Sequence, residues 1–196
     1  MTPSLREEHV KRTRAALVAA ARDLFGRDGY AATPVEDIAA RAGVTIGALY
    51  HHFPNKQALF ETVFEELHLE LLGACGRAAA KGKDPVDRLG RAFDAWFDAV
   101  LDARVQRIAI TDATAVLGLE RYTELDERYA FGAIVDALKE AKAAGAVSVR
   151  DPETVARLLL GALTRGGMLI ANAEDPRRTR NAVARSLREL LAGFAA

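Results

Sequence analysis

Thr33-Pro34, Asp84-Pro85, Asp151-Pro152 and Asp175-Pro176 each place a residue whose side chain can cap a helix just before a proline. A cap oxygen satisfies one of the orphan N–H groups of a first helical turn, and proline at the first helical position has no N–H to lose. Thr33 with Glu36, and Ser4 with Glu7, also have capping-box spacing. Gly29, Gly43 and Gly145 can each take a left-handed conformation after a helix. Between these signals apolar residues recur at helical spacing, as in Val86, Leu89, Phe93, Phe97 and Val100. No alternating β-branched run and no Asn-Gly hairpin signal is present. The spacing predicts an all-α chain of about nine helices, near 5–28, 34–42, 46–53, 56–80, 85–102, 104–117, 119–144, 152–173 and 176–194.

Half of the 196 residues are hydrophobic, enough for a sizeable core, and the formal net charge is zero. Zero net charge argues against an indiscriminate nucleic-acid coat but allows a local basic surface. A single cysteine, Cys75, excludes an internal disulfide framework and suits a reducing cytoplasm. No apolar leader follows Met1, and the most apolar stretch, 158–173, is interrupted by Arg165 and is expected to be too short and too polar to span a bilayer. No cofactor is expected.

Residues 34–53 read PVEDIAARAGVTIGALYHHF, two short helices around a turn at Gly43, which is helix-turn-helix spacing. Ile38, Ala39, Ala42, Val44, Leu49 and Phe53 form its expected core. Thr45 can cap the second helix. Gly47 and Ala48 leave the outer face nearly bare, so backbone can approach bases or phosphates. Tyr50, His51 and His52 supply hydrogen-bonding groups, and Lys56 adds a charge at the start of the next helix. His51 and His52 are adjacent, so their side chains diverge by about 100° on a helix and do not chelate a metal as an i, i+4 pair does.

The stretch from Arg12 to Phe60 resembles the DNA-binding domain of the TetR (tetracycline-repressor-like) family. The resemblance rests on Leu24-Phe25, Gly29-Tyr30, Thr33, Ile38-Ala39, Ala42-Gly43-Val44, Gly47, Leu49-Tyr50, His52-Phe53 and Asn55-Lys56, in order and at family spacing. His51 departs from the pattern, since the family often has a second tyrosine there. The resemblance implies a homodimer placing two recognition helices in successive major grooves of double-stranded operator DNA. It also implies phosphate contacts from Thr33, Thr45, Tyr50, His52 and Lys56, with base reading around Ile46, Gly47, Ala48 and His51. For the rest it implies helices four to seven around a ligand cavity and the last two helices in a dimeric four-helix bundle. Residues 1–56 would be the DNA-binding domain, and 57–196 the ligand-binding and dimerisation domain.

The last two helices fit dimerisation on their own pattern as well. The helix from Pro152 carries Val155, Leu159, Ala162, Leu163, Gly166 and Ile170 on one face, beside a strip of Ala156, Gly167 and Ala171 that permits close approach. Val183, Leu187, Leu190, Leu191 and Phe194 line the last helix. Plain intramolecular core explains the same pattern; the number of apolar faces favours an interface over 152–173 and 176–194.

Three polar residues fall on apolar stripes. His68 shares a face with Phe64, Leu71 and Cys75; Asp112 lies among Val105, Ile108, Ala109 and Val116; Arg165 lies among Leu158, Ala162, Met168 and Leu169. A buried charge needs a partner. Either Asp112 and Arg165 satisfy each other or a helix end, or they line a ligand cavity, with His68 as a further cavity candidate. Trp96, Phe97, Tyr122, Tyr129 and Asn172 are weaker candidates, because aromatics at helical spacing are commonly core. An enzyme fits poorly: His68 and Cys75 are seven residues apart, about 10 Å along a helix, beyond nucleophile–base reach. No phosphate-cradling glycine loop or nucleophile elbow is present. The expectation is therefore a DNA-binding transcription regulator released from a near-palindromic operator by a small effector, with a non-sensing DNA binder as the alternative.

Overall fold

The computed structural model describes residues 4–194. Helix α1, Leu5–Asp28, opens on the expected capping box: the Glu7 N–H donates to Ser4 Oγ, and the Glu7 carboxylate accepts from the Ser4 N–H. Helices α2, Val35–Ala42, and α3, Ile46–His52, are joined through Gly43 in the left-handed conformation, φ 69°. A side chain at Gly43 would be strained there, so the tight turn depends on glycine. Thr45 caps α3 by accepting from the Ala48 N–H at 3.1 Å, and Asn55 caps α4, Lys56–Ala79, by accepting from the Ala58 N–H at 2.8 Å.

Thr33 does not cap α2, so the Thr33–Glu36 box does not form. The N-cap position is Pro34, with no side-chain hydrogen bond. The buried Thr33 hydroxyl donates instead to the Gly29 carbonyl at 2.8 Å. The α1–α2 loop folds back over the end of α1, so the hydroxyl meets a carbonyl there rather than an N–H of α2.

The three Asp-Pro starts behave as expected. Asp84, Asp151 and Asp175 cap α5 (Pro85–Ala99), α8 (Pro152–Ala171) and α9 (Pro176–Ala192), each with proline in the first turn. Between them lie two irregular helices. The sixth, α6 (103–117), is π-helical over Gln106–Asp112, and the seventh, α7 (119–143), is π-helical over Glu127–Phe131. They meet at Gly118, φ 80°. A π turn accommodates one more residue than an α turn, so the faces before and after it fall out of a common register. No strand is present among the described residues.

Two large cores result. The first joins α1–α3 to α4, with Phe25, Phe60 and Phe64 fully buried in it. It crosses the 56/57 position, because Leu59, Phe60 and Phe64 of α4 belong to the same cluster as Leu17, Phe25 and Ile38. The second joins α5, α7, α8 and α9. Helix α6 contributes to both: Ile108, Ala109 and Ala113 to the first, and Ile110 to the second. Ion pairs such as Arg22–Glu70 between α1 and α4, and Arg88–Glu140 between α5 and α7, lie outside these cores. Exposed pairs of that kind contribute about 0–1 kcal/mol each, so apolar burial holds the fold.

Helix α8 is long and apolar enough by length and composition to cross a membrane, against the expectation from sequence. One of its faces is nevertheless core, and Arg157 and Arg165 stand exposed on the other. The small-residue strip also departs from expectation. A Cβ on Gly166 would lie 2.7 Å from Phe97 and 2.8 Å from Val183, and one on Gly167 would lie 3.0 Å from Ile110. Ala156 is fully buried, and Leu159, Leu163 and Ile170 are core residues. The apolar face and the strip beside it therefore pack α8 against α5, α6 and α9 of its own chain. Helix pattern alone marks an apolar face without saying which molecule covers it.

Gly166→Ala should lower stability by ~1–3 kcal/mol through overpacking against Phe97. Gly132→Ala, at an exposed helical site with nothing within 4 Å, should raise it by ~0.5–1 kcal/mol. Urea unfolding at fixed protomer concentration checks both.

Candidate nucleic-acid interface and ligand cavity

Helix α3 presents a sparse outer face. Gly47 and Thr45 are exposed and Ala48 is half-buried, while Ile46 and Tyr50 expose 41% and 47% of their surface. Two large side chains standing out from a seven-residue helix are poorly placed for core and well placed to meet another surface. Tyr50 therefore does not pack inward. His51 is exposed and His52 half-buried, with their rings edge to face at 5.6 Å. Burial lowers the His52 pKa, and the nearby His51, Arg14 and His9 lower it further. Helix α1 thus brings its own cations beside the end of α3. The sequence reading missed Arg14 and His9; the basic run Lys11, Arg12 and Arg14 was the signal.

Thr33 and Lys56 are not on this face. Thr33 is buried, with its hydroxyl bound to Gly29. The Lys56 ammonium donates to the Tyr30 carbonyl and sits 4.2 Å from the centre of the Tyr30 ring. Burial lowers the Lys56 pKa, while the Asp112 carboxylate opposes the shift. Asp112 in turn accepts from the Tyr30 N–H at 2.7 Å. The Tyr30 ring packs at 5.6 Å from Phe25 and 5.3 Å from Phe60. Tyr30, in the loop between α1 and α2, is thereby clamped by α4 through Lys56 and by α6 through Asp112.

Asp112 therefore neither pairs with Arg165 nor lines the cavity; it satisfies a backbone N–H just past the end of α1, as the helix-end alternative had it. The π-helical stretch ending at Asp112 packs between α1 and α8, and Asp112 lies on its α1 side, at the Tyr30 N–H. Arg165 is exposed on the outer face of α8, with no ion-pair partner among the described residues. Its neighbours on that face, Leu158 and Leu169, are 69% and 46% exposed, and Leu190 on α9 is 60% exposed.

A cavity of about 390 Å³ lies between α4, α5, α7 and α8. Leu71, Leu72 and Cys75 come from α4, Leu89, Phe93 and Trp96 from α5, Ala130 and Ile134 from α7, and Leu160, Leu163 and Thr164 from α8. His68 also lines it, 4% exposed, with its ring 4.2 Å from Phe64. His68 Nε2 lies 3.4 Å from Asp126 Oδ1, and its Nδ1 has no hydrogen-bond partner among the described residues. The Trp96 indole donates to the Leu163 carbonyl. Burial pushes the Cys75 thiol up to about 11, so it is an uncharged wall group rather than a nucleophile.

Of the residues expected to bind a ligand, the structure brings His68 and Trp96 to the cavity wall. Phe64 stacks on His68 from the core side and is fully buried. Phe97 faces Gly166. Tyr122 packs near Phe64, its phenol pushed up to about 12, chiefly by burial. Tyr129 donates to Glu65. Met168 packs against the second core, and Asn172, just past the last turn of α8, donates to its carbonyl. Phe64, Phe97, Asp112, Tyr122, Arg165, Met168 and Asn172 are thus not wall residues. Asp126, Phe93, Leu89 and Thr164 are, although the sequence reading did not single them out.

Comparison with known proteins fits this geometry. Residues 17–63 match the model described as bacterial regulatory proteins, tetR family. Residues 86–194 match that of the tetracyclin repressor-like C-terminal domain. The chain belongs to the TetR family. A crystal structure of a TetR-family transcriptional regulator from Pectobacterium atrosepticum superposes with a TM-score of 0.87 at 30% identity, covering 99% of this chain and 98% of that one. The HTH-type transcriptional regulator TtgR of Pseudomonas putida is 40% identical over 106 residues, 52% of this chain and 50% of TtgR. The HTH-type transcriptional repressor KstR2 of Rhodococcus jostii is 32% identical over 116 residues, 58% of this chain and 56% of KstR2. The chain spans about half the length of these curated relatives. The family's proteins are transcriptional regulators rather than enzymes.

In this TetR-family chain the Tyr30 clamp joins the DNA-facing helices to the helices around the cavity. Asp112→Ala leaves the Tyr30 N–H short of a partner and removes the negative charge that favours the Lys56 ammonium. It should cost ~1–3 kcal/mol in urea unfolding, with Asp112→Asn, which keeps an acceptor, closer to wild type.

Proposed function

We propose that the protein is a homodimeric DNA-binding repressor released from its operator by a small effector in the cavity. The observation that carries this reading is the continuity of α4. One 24-residue helix has Lys56 in the Tyr30 clamp at one end and His68 and Cys75 in the cavity wall farther along. A ligand that fits only when α4 shifts must also load the clamp, and so the position of α3. By linkage, whatever factor the ligand takes from DNA affinity, DNA takes from ligand affinity. Typical coupling of ~1–3 kcal/mol corresponds to about 5- to 150-fold release.

On this reading, residues 1–56 carry DNA contact and 57–196 sensing and dimerisation, a division of labour laid over a shared core. Ile46, Gly47, Ala48 and His51 meet base edges. Thr45, Tyr50, His52 and Arg14 meet phosphates. Thr33 and Lys56 hold the loop behind them. The partner subunit covers the outer faces of α8 and α9, where Leu158, Leu169 and Leu190 stand exposed. Two copies related by a two-fold axis read half-sites about one turn apart, ~34–36 Å or slightly more. Such a regulator works in the cytoplasm, on double-stranded DNA.

Selection of bound duplexes from a random pool, repeated with a metabolite mixture, tests the proposal. A near-palindromic operator whose recovery falls with the mixture is expected; failure to enrich any sequence contradicts it. Leu169→Arg should turn a sedimenting dimer into monomer and abolish operator binding. A wild type that sediments as monomer at micromolar concentration removes the dimer.

A further inference from the structure

The cavity wall is apolar except at two places. Where its lining is half to fully exposed, Arg88 pairs with Glu140 at 2.7 Å and Asp136 stands nearby. Where its lining is buried, His68 meets Asp126. The Thr164 hydroxyl lies beside the Tyr122 phenol, and burial keeps the Cys75 thiol uncharged. That leaves His68 Nδ1 as the one lining side-chain atom, among the described residues, that is buried with no partner. An unsatisfied buried polar atom costs about 1–3 kcal/mol, which a ligand group of the right polarity recovers on binding.

The polarity follows from Asp126. A carboxylate only accepts, so in the uncharged imidazole it draws the N–H to Nε2 and leaves Nδ1 as a lone pair. The group it receives must be a donor. Net charge on the wall disfavours an anion: Asp126, Asp136 and Glu140 face Arg88 alone, and Arg88 is already paired. A cation fares little better, because Asp126 is engaged with His68, and Asp136 and Glu140 stand in solvent, where their pull is screened. The remaining wall would have to desolvate the charge without compensating it.

We infer that the cavity selects an uncharged molecule with an apolar body and one hydroxyl-type donor, received by Nδ1 of His68. This rests on the cavity being the effector site, as proposed above. A volume of about 390 Å³ suits a compact ligand.

Trp96 is the chain's one tryptophan and lines the cavity, so its fluorescence reports occupancy. Four probes share an octyl chain: 1-octanol, its methyl ether, octanoate and octyltrimethylammonium. The alcohol should give a saturable change at a concentration ~10-fold or more below the other three, about the 1.4 kcal/mol of one net hydrogen bond. In His68→Phe the alcohol and the ether should converge. Should that variant not fold, the order of the four probes on the wild type decides. Equal binding of alcohol and ether, tightest binding of octanoate or of the ammonium, or no saturable response to the alcohol overturns the inference. Binding to the selected operator is measured in parallel. Release by other compounds, with the probe order wrong, overturns the ligand chemistry alone. The expected probe order without loss of operator binding upholds the chemistry and overturns the effector reading.

Discussion

The Tyr30 backbone is held from both sides: its N–H by the Asp112 carboxylate of α6, and its carbonyl by the Lys56 ammonium of α4. Loop backbone this close to a core needs partners for its polar groups, and here the partners are charged side chains from two other helices. The ring of the same residue packs between Phe25 of α1 and Phe60 of α4. The α1–α2 loop therefore has little freedom to move independently of α4 and α6. Since α3 follows α2 through the tight turn at Gly43, the exposed face carrying Tyr50 and His51 inherits its position from this loop.

From the clamp, order extends into the rest of the molecule through α6. Its Ile108, Ala109 and Ala113 belong to the core under the DNA-facing helices, and its Ile110 reaches Gly167 of α8 in the second core. Close packing means such a helix does not yield on one side without consequence on the other. The π-helical stretch allows α6 to serve both cores, since it shifts the register of its faces midway. The cavity lies farther along α4 than the clamp residues, and its one unpartnered buried side-chain atom among the described residues is on α4 itself. The exposed α3 face and the cavity thus share structural members.

Much of this was legible in the sequence where local chemistry decides structure. Asp84, Asp151 and Asp175 cap helices because an aspartate before a proline has few better uses. The small core of Ile38, Leu49 and Phe53, and the Thr45 cap, follow in the same way. Thr33 misled because its hydroxyl had two backbone groups within reach and the tertiary turn chose the carbonyl. Asp112 misled because a polar residue on an apolar stripe reveals that it needs a partner without saying which. The partner was a backbone N–H 82 positions away. Arg165 lay on a real apolar face, but one turned outward, and Gly167 lay on the inward one. The cavity was least legible. Periodicity identifies the side chains that point inward, whereas a cavity depends on which of them fail to meet, and that is decided by four helices together.

The central claim is that the clamp on Tyr30 couples the cavity to the DNA-facing helix. It is tested most directly by measuring the affinity of one cavity ligand, through Trp96 fluorescence, for free and for operator-bound protein, in the wild type and in Asp112→Ala. The account predicts that operator DNA weakens the ligand by about 5- to 150-fold in the wild type. In Asp112→Ala, which removes the acceptor of the Tyr30 N–H, that factor should fall toward one. An undiminished factor in the variant would contradict the claim, because coupling would then bypass the contact between α6 and the loop.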